Sequence, residues 1–170
     1  MKILIPLDGS KFAEEILEPA ARFAERCGAE VQLLEVIRGS TNTPWLRPPT
    51  TDEPHNIGSG MAMGVSSASG AGVRAETSTQ AQEGEKQEAE DYLARVANQH
   101  FPGGAGHSVV IGDDPATEII NYTRTEEIDL IAIATHGRSG LARLMLGSVA
   151  GKLLKARAAP IMMVHPKGLG

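Results

Sequence analysis

Cysteine is nearly absent from this chain, because Cys27 is the only one among 170 residues. A single cysteine excludes an internal disulfide framework, so we expect a reducing, cytoplasmic setting. Long apolar runs are also missing, and no stretch approaches the ~20 residues that a membrane-spanning helix needs. The N-terminus lacks the apolar region and cleavage site of a signal peptide. We therefore expect no membrane partner.

An excess of positive charge is lacking as well. Lys and Arg number 16 against 21 Asp and Glu, which gives a net charge of −5. Because nucleic-acid binding usually needs a basic face, we expect no nucleic-acid partner. The five histidines show no metal-ligand spacing with the cysteine or with each other, so we expect no metal centre.

Short apolar runs alternate with helical patterns along most of the chain. Five of these runs predict strands: Lys2 to Leu7, Val31 to Ile37, His107 to Ile111, Asp129 to Thr135, and Pro160 to His165. The fourth run is almost wholly apolar, which is typical of an interior strand. Such alternation predicts one α/β domain with a doubly wound, five-stranded parallel sheet and helices on both faces.

Four helices are predicted between the strands. The first is capped by Ser10 and ends at Gly28, and Pro19 should kink or divide it. The others run from Glu83 to His100, from the cap Asp114 with Pro115 onward, and from Gly147-Ser148 to about Arg157.

Residues 39–82 differ in character from the rest of the chain. Ser, Thr, Gly, Pro and Ala dominate there, and neither a strand nor a helix period is present. A loop of this length inside a compact domain is usually functional or disordered. We expect a flexible insertion at about 39–82 within a single domain that spans residues 1–170.

Small and polar residues follow the first and fourth strands. Asp8 ends the first strand, the loop 136–140 follows the fourth, and Gly147-Ser148 opens the last helix. Ligands of doubly wound sheets bind at the carboxyl ends of the strands, and the N–H groups of a helix N-terminus attract anions. This pattern suits a mononucleotide, although the glycines could equally serve only tight turns.

The sequence here resembles a known family. The universal stress proteins share a phosphate motif of Gly, two residues, Gly, nine residues, Gly and then Ser or Thr. Gly137 and Gly147-Ser148 match it, whereas Ala134 stands in place of the first glycine. KILIPLDGS at the start, the segment IGDDPATEII and the ending APIMMVHP resemble the family as well.

The resemblance implies the fold of the adenine nucleotide alpha-hydrolase-like proteins and a stress-response or regulatory role. It also implies a ligand, ATP or another adenine nucleotide such as ADP or AMP, with or without Mg²⁺. Asp8 and Val36 would contact adenine beside Pro6 and Leu7, and Ile133 and Ala134 would lie near the ribose. The phosphates would be surrounded by His136, Gly137, Gly147, Ser148, Val149 and Ala150.

The resemblance further implies a homodimer that pairs through the last strand, Pro160 to His165, since an apolar edge strand invites pairing. Two other functions stay open. A slow nucleotide hydrolase or phosphoryl-transfer enzyme would need a base and a metal ligand, and only Asp8 and His136 are candidates. The second open function is that of a scaffold that binds no nucleotide, or of a receiver-like signalling domain. A receiver needs clustered carboxylates, and only Asp8 ends the first strand.

Overall fold

The structure is a computed structural model that describes the backbone of residues 1–39, 69–135 and 147–164, with side chains in the second range from residue 80. Met1–Gly39 and Gly84–Gly170 form one compact unit, and Ser40–Glu83 form a second. The elements in chain order are β1 (Lys2–Leu7), α1 (Lys11–Glu14), α2 (Leu17–Cys27), β2 (Glu30–Ile37), α3 (Ser69–His100), β3 (Gly106–Ile111), α4 (Pro115–Thr125), β4 (Leu130–Ala134), α5 (Ser148–Ala156) and β5 (Ile161–Val164).

All neighbouring strands of the five-stranded sheet are parallel, and their order is β3-β2-β1-β4-β5. The predicted fold class is therefore confirmed. The chain moves from β1 outward to β2 and β3, then returns to β4 on the other side of β1. The strand order thus reverses between β1 and β4, where ligands of such sheets bind.

Each face of the sheet carries its own hydrophobic core. On one face, α2 and α3 cover β1 and β2 through residues such as Leu17, Leu93 and Leu33. On the other face, α4 and α5 cover the sheet through Ile119 and Leu153. The alternation of side chains along each strand supplies both cores, because successive residues point to opposite faces.

The predicted first helix is divided, and the break precedes Pro19. α1 ends at Glu14 and α2 begins at Leu17, so Pro19 lies in the first turn of α2. Proline cannot donate to the carbonyl four residues earlier and its ring clashes there, which favours a helix end before it. Ser10 caps α1 as predicted, since its Oγ accepts from the Ala13 N–H at 3.1 Å. Gly28 ends α2 with a φ of 60°.

One helix start differs from the prediction, and another helix begins as predicted but without the expected capping hydrogen bond. α3 begins at Ser69 rather than Glu83, so residues 69–82 of the predicted insertion are helical. The apolar period of residues 69–82 is weak. Among the side chains described, from residue 80 onward, α3 packs on the core only from Ala89. At α4, Asp114 holds the cap position but makes no capping bond to the backbone, because its carboxylate binds side chains instead.

The remaining boundaries agree with the prediction to within a residue or so. β5 lies at the edge of the sheet. The rest of the predicted insertion, residues 40–68, falls outside the described residues. Within the described part of the chain, no helix has the length and apolar character required to cross a bilayer.

Candidate functional site

A cleft of about 370 Å³ opens at the carboxyl ends of β1 and β4. The ends of these strands form its floor, the start of α1 forms one wall, and the first turns of α4 and α5 form another. The cleft therefore lies where the strand order reverses, as expected for a doubly wound sheet.

Most of the site residues predicted from the sequence line this cleft. They are Pro6, Leu7, Asp8, Val36, Ile133, Ala134, Gly147, Ser148, Val149 and Ala150. The other two, His136 and Gly137, lie outside the described residues. Residues that are far apart in the chain are thus brought together at one place.

Asp8 is held at the rim of the cleft by the turn that follows β1. Its Oδ1 accepts hydrogen bonds from the Ser10 N–H at 3.0 Å and from the Ser10 hydroxyl at 2.6 Å. The same hydroxyl caps α1, so the carboxylate and the helix are oriented together. Gly9 has a φ of 73°, which lets the chain turn sharply between the two residues.

The N-terminus of α5 faces the cleft through Gly147 and Ser148. A Cβ at Gly147 would meet no atom of the described residues within 4 Å, and its φ of −52° is open to any residue. The described part of the fold therefore does not require glycine at this position. What glycine provides is space beside the free N–H groups of the first turn, which is where an anion binds to a helix.

The sequence prediction assigns Ala134 to the position of the first glycine in the phosphate motif. It is the last residue of β4 and pairs with Val164 of β5. Among the described non-glycine residues only Glu127 and Arg157 have positive φ, so the backbone at Ala134 is accessible to alanine. Replacement of this glycine by alanine therefore introduces no backbone strain.

Sequence reasoning missed several residues that line the cleft. They are Phe12, Ala13, Leu34, Pro115, Ile119 and Thr135. The two-residue period along β2 was available as a signal for Leu34, since it shares a face with Val36. Thr135 directly follows Ala134 at the end of β4. The other four depend on how α1 and α4 pack at the end of the sheet, for which local sequence carries no signal.

A charged contact joins the two helices beside the cleft. Lys152 of α5 donates from Nζ to Asp114 Oδ1 at 2.8 Å, and the Thr117 hydroxyl donates to Asp114 Oδ2 at 2.6 Å. The hydrogen bonds from Lys152 and Thr117 lower the pKa of Asp114. The ion pair links the N-terminus of α4 to the second turn of α5, and the first turns of both helices line the cleft.

The described side chains form no group suited to a metal ion. Over residues 1–39, 80–135 and 147–164, no three or more His, Cys, Asp or Glu side chains are grouped for metal binding. Asp8 is the only carboxylate among the residues described as lining the cleft. The described part of the site thus presents one anionic group, the starts of three helices including α5, and otherwise mainly apolar walls.

Comparison with known proteins agrees with this architecture. Residues 61–165 match the model of the universal stress protein family. The chain is 27% identical to universal stress protein MJ0531 of Methanocaldococcus jannaschii over 164 residues, which cover 96% of this chain and 81% of the relative. It is 24% identical to universal stress protein YxiE of Bacillus subtilis, with 96% and 98% of the chains covered.

Solved structures share the fold at lower sequence identity. Hypothetical protein MJ0577 superposes with a TM-score of 0.66 and 23% identity over 98% of this chain and 96% of its own. A universal stress protein of Archaeoglobus fulgidus in complex with dAMP gives a TM-score of 0.56 and 17% identity, with 96% of each chain covered. A universal stress protein in complex with cAMP gives 0.55 and 14%, with 98% of each covered.

The family model covers more than half of the chain, and the strand order, the cleft and the start of α5 fit the same assignment. This protein belongs to the universal stress protein family.

Proposed function

We propose that this protein binds an adenine nucleotide in the cleft and serves as a stress-response or regulatory protein. One observation carries the proposal: the Asp8 carboxylate and the N-terminus of α5 line the same cleft. A carboxylate accepts the hydrogen bonds of an amino group, and a helix N-terminus receives a phosphate. A nucleotide carries both groups on one molecule.

The walls of the cleft suit the parts of a nucleotide that lie between these two groups. Adenine would lie against Pro6, Leu7 and Val36, with Asp8 at its polar edge, and the ribose against Ile133 and Ala134. The phosphates would be received by Gly147, Ser148, Val149 and Ala150, together with His136 and Gly137. A volume of about 370 Å³ is within the range of small-molecule sites, which are mostly apolar with a few placed polar groups.

Relatives of known structure support an adenine ligand. One universal stress protein is in complex with dAMP and another with cAMP. Both ligands carry adenine and a single phosphate, which are the groups that Asp8 and the start of α5 would bind. ATP, ADP and AMP remain alternatives for this chain, with or without Mg²⁺.

Calorimetric titration with ATP, ADP and AMP tests the proposal. We expect binding in the micromolar range, on the order of −8 kcal/mol. Mass analysis of nucleotide released by denaturing freshly purified protein would identify the form carried from the cell. No heat and no thermal shift with any adenine nucleotide at about millimolar concentration would exclude adenine-nucleotide binding.

We also propose that two copies pair through β5. This strand has a neighbour on one side only, and Met163 is 40% exposed there. Largely apolar grooves lie on both of its faces, one lined by Phe23 and Met162 and the other by Leu154 and Ile161. A two-fold axis along this edge would pair the unused backbone groups and cover Met163 in both copies.

A further inference from the structure

Glu35 of β2 is a partly buried carboxylate for which nucleotide binding as proposed gives no role. Its Oε2 is shut off from solvent and has no hydrogen-bond partner among the described residues. Along β2 it shares a face with Leu33, which belongs to the core under α2 and α3. Glu35 therefore lies on the opposite face of the sheet from Leu34 and Val36, which line the cleft.

The strand register nevertheless places Glu35 next to the site. It is paired with Leu7 of β1, and Asp8 follows Leu7 directly. A Cβ at Gly9 would lie 3.9 Å from Glu35 Oε1, so the turn that carries Asp8 runs past the Glu35 carboxylate. The two carboxylates thus extend from neighbouring strand ends on either side of the sheet.

Among the described residues, the other groups that face Glu35 offer no compensating charge. Besides Asp8 at the end of β1, α3 contributes Glu85 and Tyr92, while the register partner on β3 is the uncharged Val109. The Tyr92 hydroxyl is committed to Glu14 of α1, to which it donates at 3.1 Å. Burial, then repulsion from Asp8 and Glu85, raises the pKa of Glu35 above its ordinary value.

We propose that Glu35 couples nucleotide binding to pH by taking up a proton when a nucleotide covers Asp8. A nucleotide that covers Asp8 displaces the water that screens its charge, so the repulsion between Asp8 and Glu35 becomes stronger. Protonation of Glu35 relieves that repulsion, and the proton returns to solvent when the nucleotide leaves. Because binding takes up a proton, the nucleotide binds more tightly at the lower pH.

This inference rests on the proposed function, and cAMP is the sharpest probe for it. As a phosphodiester, cAMP keeps a constant charge between about pH 5 and about pH 8, whereas a phosphate monoester such as AMP titrates near about pH 6. Calorimetry of cAMP binding in two buffers of different ionisation enthalpy then counts only the protons that the protein gains, because the ligand exchanges none. For the wild type we expect net proton uptake and a Kd that rises at least about threefold across this range.

Glu35→Gln removes the titrating group but keeps its shape, so it should take up fewer protons and show a flatter pH dependence. Glu30→Gln is the matched control, since Glu30 is exposed at the start of the same strand and should behave as the wild type. Zero proton uptake by the wild type, or an unchanged slope in Glu35→Gln, would overturn the proposal. If the variant fails to fold, zero proton uptake by the wild type still overturns the proposal.

Failure of the two proposals can be told apart. If cAMP does not bind, AMP replaces it in the comparison of the wild type, Glu35→Gln and Glu30→Gln. The protons that AMP itself gains or loses are the same for all three proteins, so they cancel in the differences. Binding with identical pH dependence in the wild type and Glu35→Gln overturns only the role of Glu35. Absence of binding by both nucleotides at every pH contradicts the proposed function and this inference together.

Discussion

Lys152 and Asp114 are 38 residues apart in the chain, yet Lys152 Nζ lies 2.8 Å from Asp114 Oδ1. The pair joins the N-terminus of α4 to the second turn of α5, and the N-terminal residues of both helices line the cleft. Both side chains are partly exposed, at 56% and 42% of their surface. Exposed pairs contribute little to stability, so we expect a small effect from this contact.

The ion pair predicts a small, non-additive effect of substitution. Lys152→Met and Asp114→Asn should each lower the melting temperature slightly, and the double variant should be no worse than either single one. The pKa of Asp114 is lower in the folded protein than its ordinary value. The contribution of Asp114 to stability is therefore present above that ordinary pKa, and it is lost as the pH falls through the pKa of the folded protein. The difference between wild type and Asp114→Asn should therefore shrink below about pH 4 and in concentrated salt. An additive double variant would show that the two side chains do not interact.

Gly147→Val combined with Ser148→Ala should abolish phosphate affinity and preserve the fold. The valine side chain would enter the open space at the start of α5, and the hydroxyl donor would be lost. A hydrogen bond to a charged group contributes roughly 1.5–3 kcal/mol, so we expect at least about a tenfold loss of ATP affinity in calorimetry.

The matched control for this double variant is Gly151→Val, which places the same side chain one turn further along α5. A Cβ there also meets nothing within 4 Å, and Gly151 does not line the cleft. If the double variant binds ATP as the wild type does, the phosphate site lies elsewhere.

Glu35→Gln should change stability in a pH-dependent way. The pKa of folded Glu35 lies above its unfolded value, chiefly because of burial. Its contribution to stability is thus fully present below the unfolded pKa and is lost as pH rises through the folded pKa. Urea unfolding should show Glu35→Gln gaining on the wild type as pH increases from about 4 to about 8. A constant difference across that range would contradict burial of the charged form.

Replacement of residues 40–82 by a short Gly-Ser linker should leave the melting temperature within a few degrees of the wild type. Their low apolar content gives little burial to offset the entropy of ordering. Among the α3 side chains that the structure describes, from residue 80 onward, the buried ones begin at Ala89, which the linker variant retains. A large loss of stability would show that the replaced segment contributes to the core.

Met163→Lys should shift the protein toward monomer in size exclusion with light scattering. Ile111→Lys is the matched control, because Ile111 is 45% exposed on β3 at the opposite edge of the sheet. Met162→Lys should instead destabilise the fold, since Met162 packs against the core beneath α2. Nucleotide affinity should change little in Met163→Lys, because the cleft lies at other strand ends. A wild type that is monomeric at high micromolar concentration would rule out pairing through β5.

Local sequence predicted the repeating units of this fold well. The apolar runs, Ser10, Gly28 and Pro115 each act within a few residues, through periodicity, capping and fixed φ. The start of α3 was missed because residues 69–82 carry no apolar period, and a helix without one leaves no pattern to read. A cytoplasmic location remains a prediction from the single cysteine.

The sequence by itself determined which residues could form a phosphate cradle and that strands and helices alternate. Only the tertiary structure decided that β1 and β4 are neighbours, which brings Asp8 and Ser148 to one cleft. It also decided that Glu35 is partly buried beside Asp8 and that Lys152 meets Asp114. These relationships depend on strand register and helix packing between distant segments, and local patterns carry no information about either.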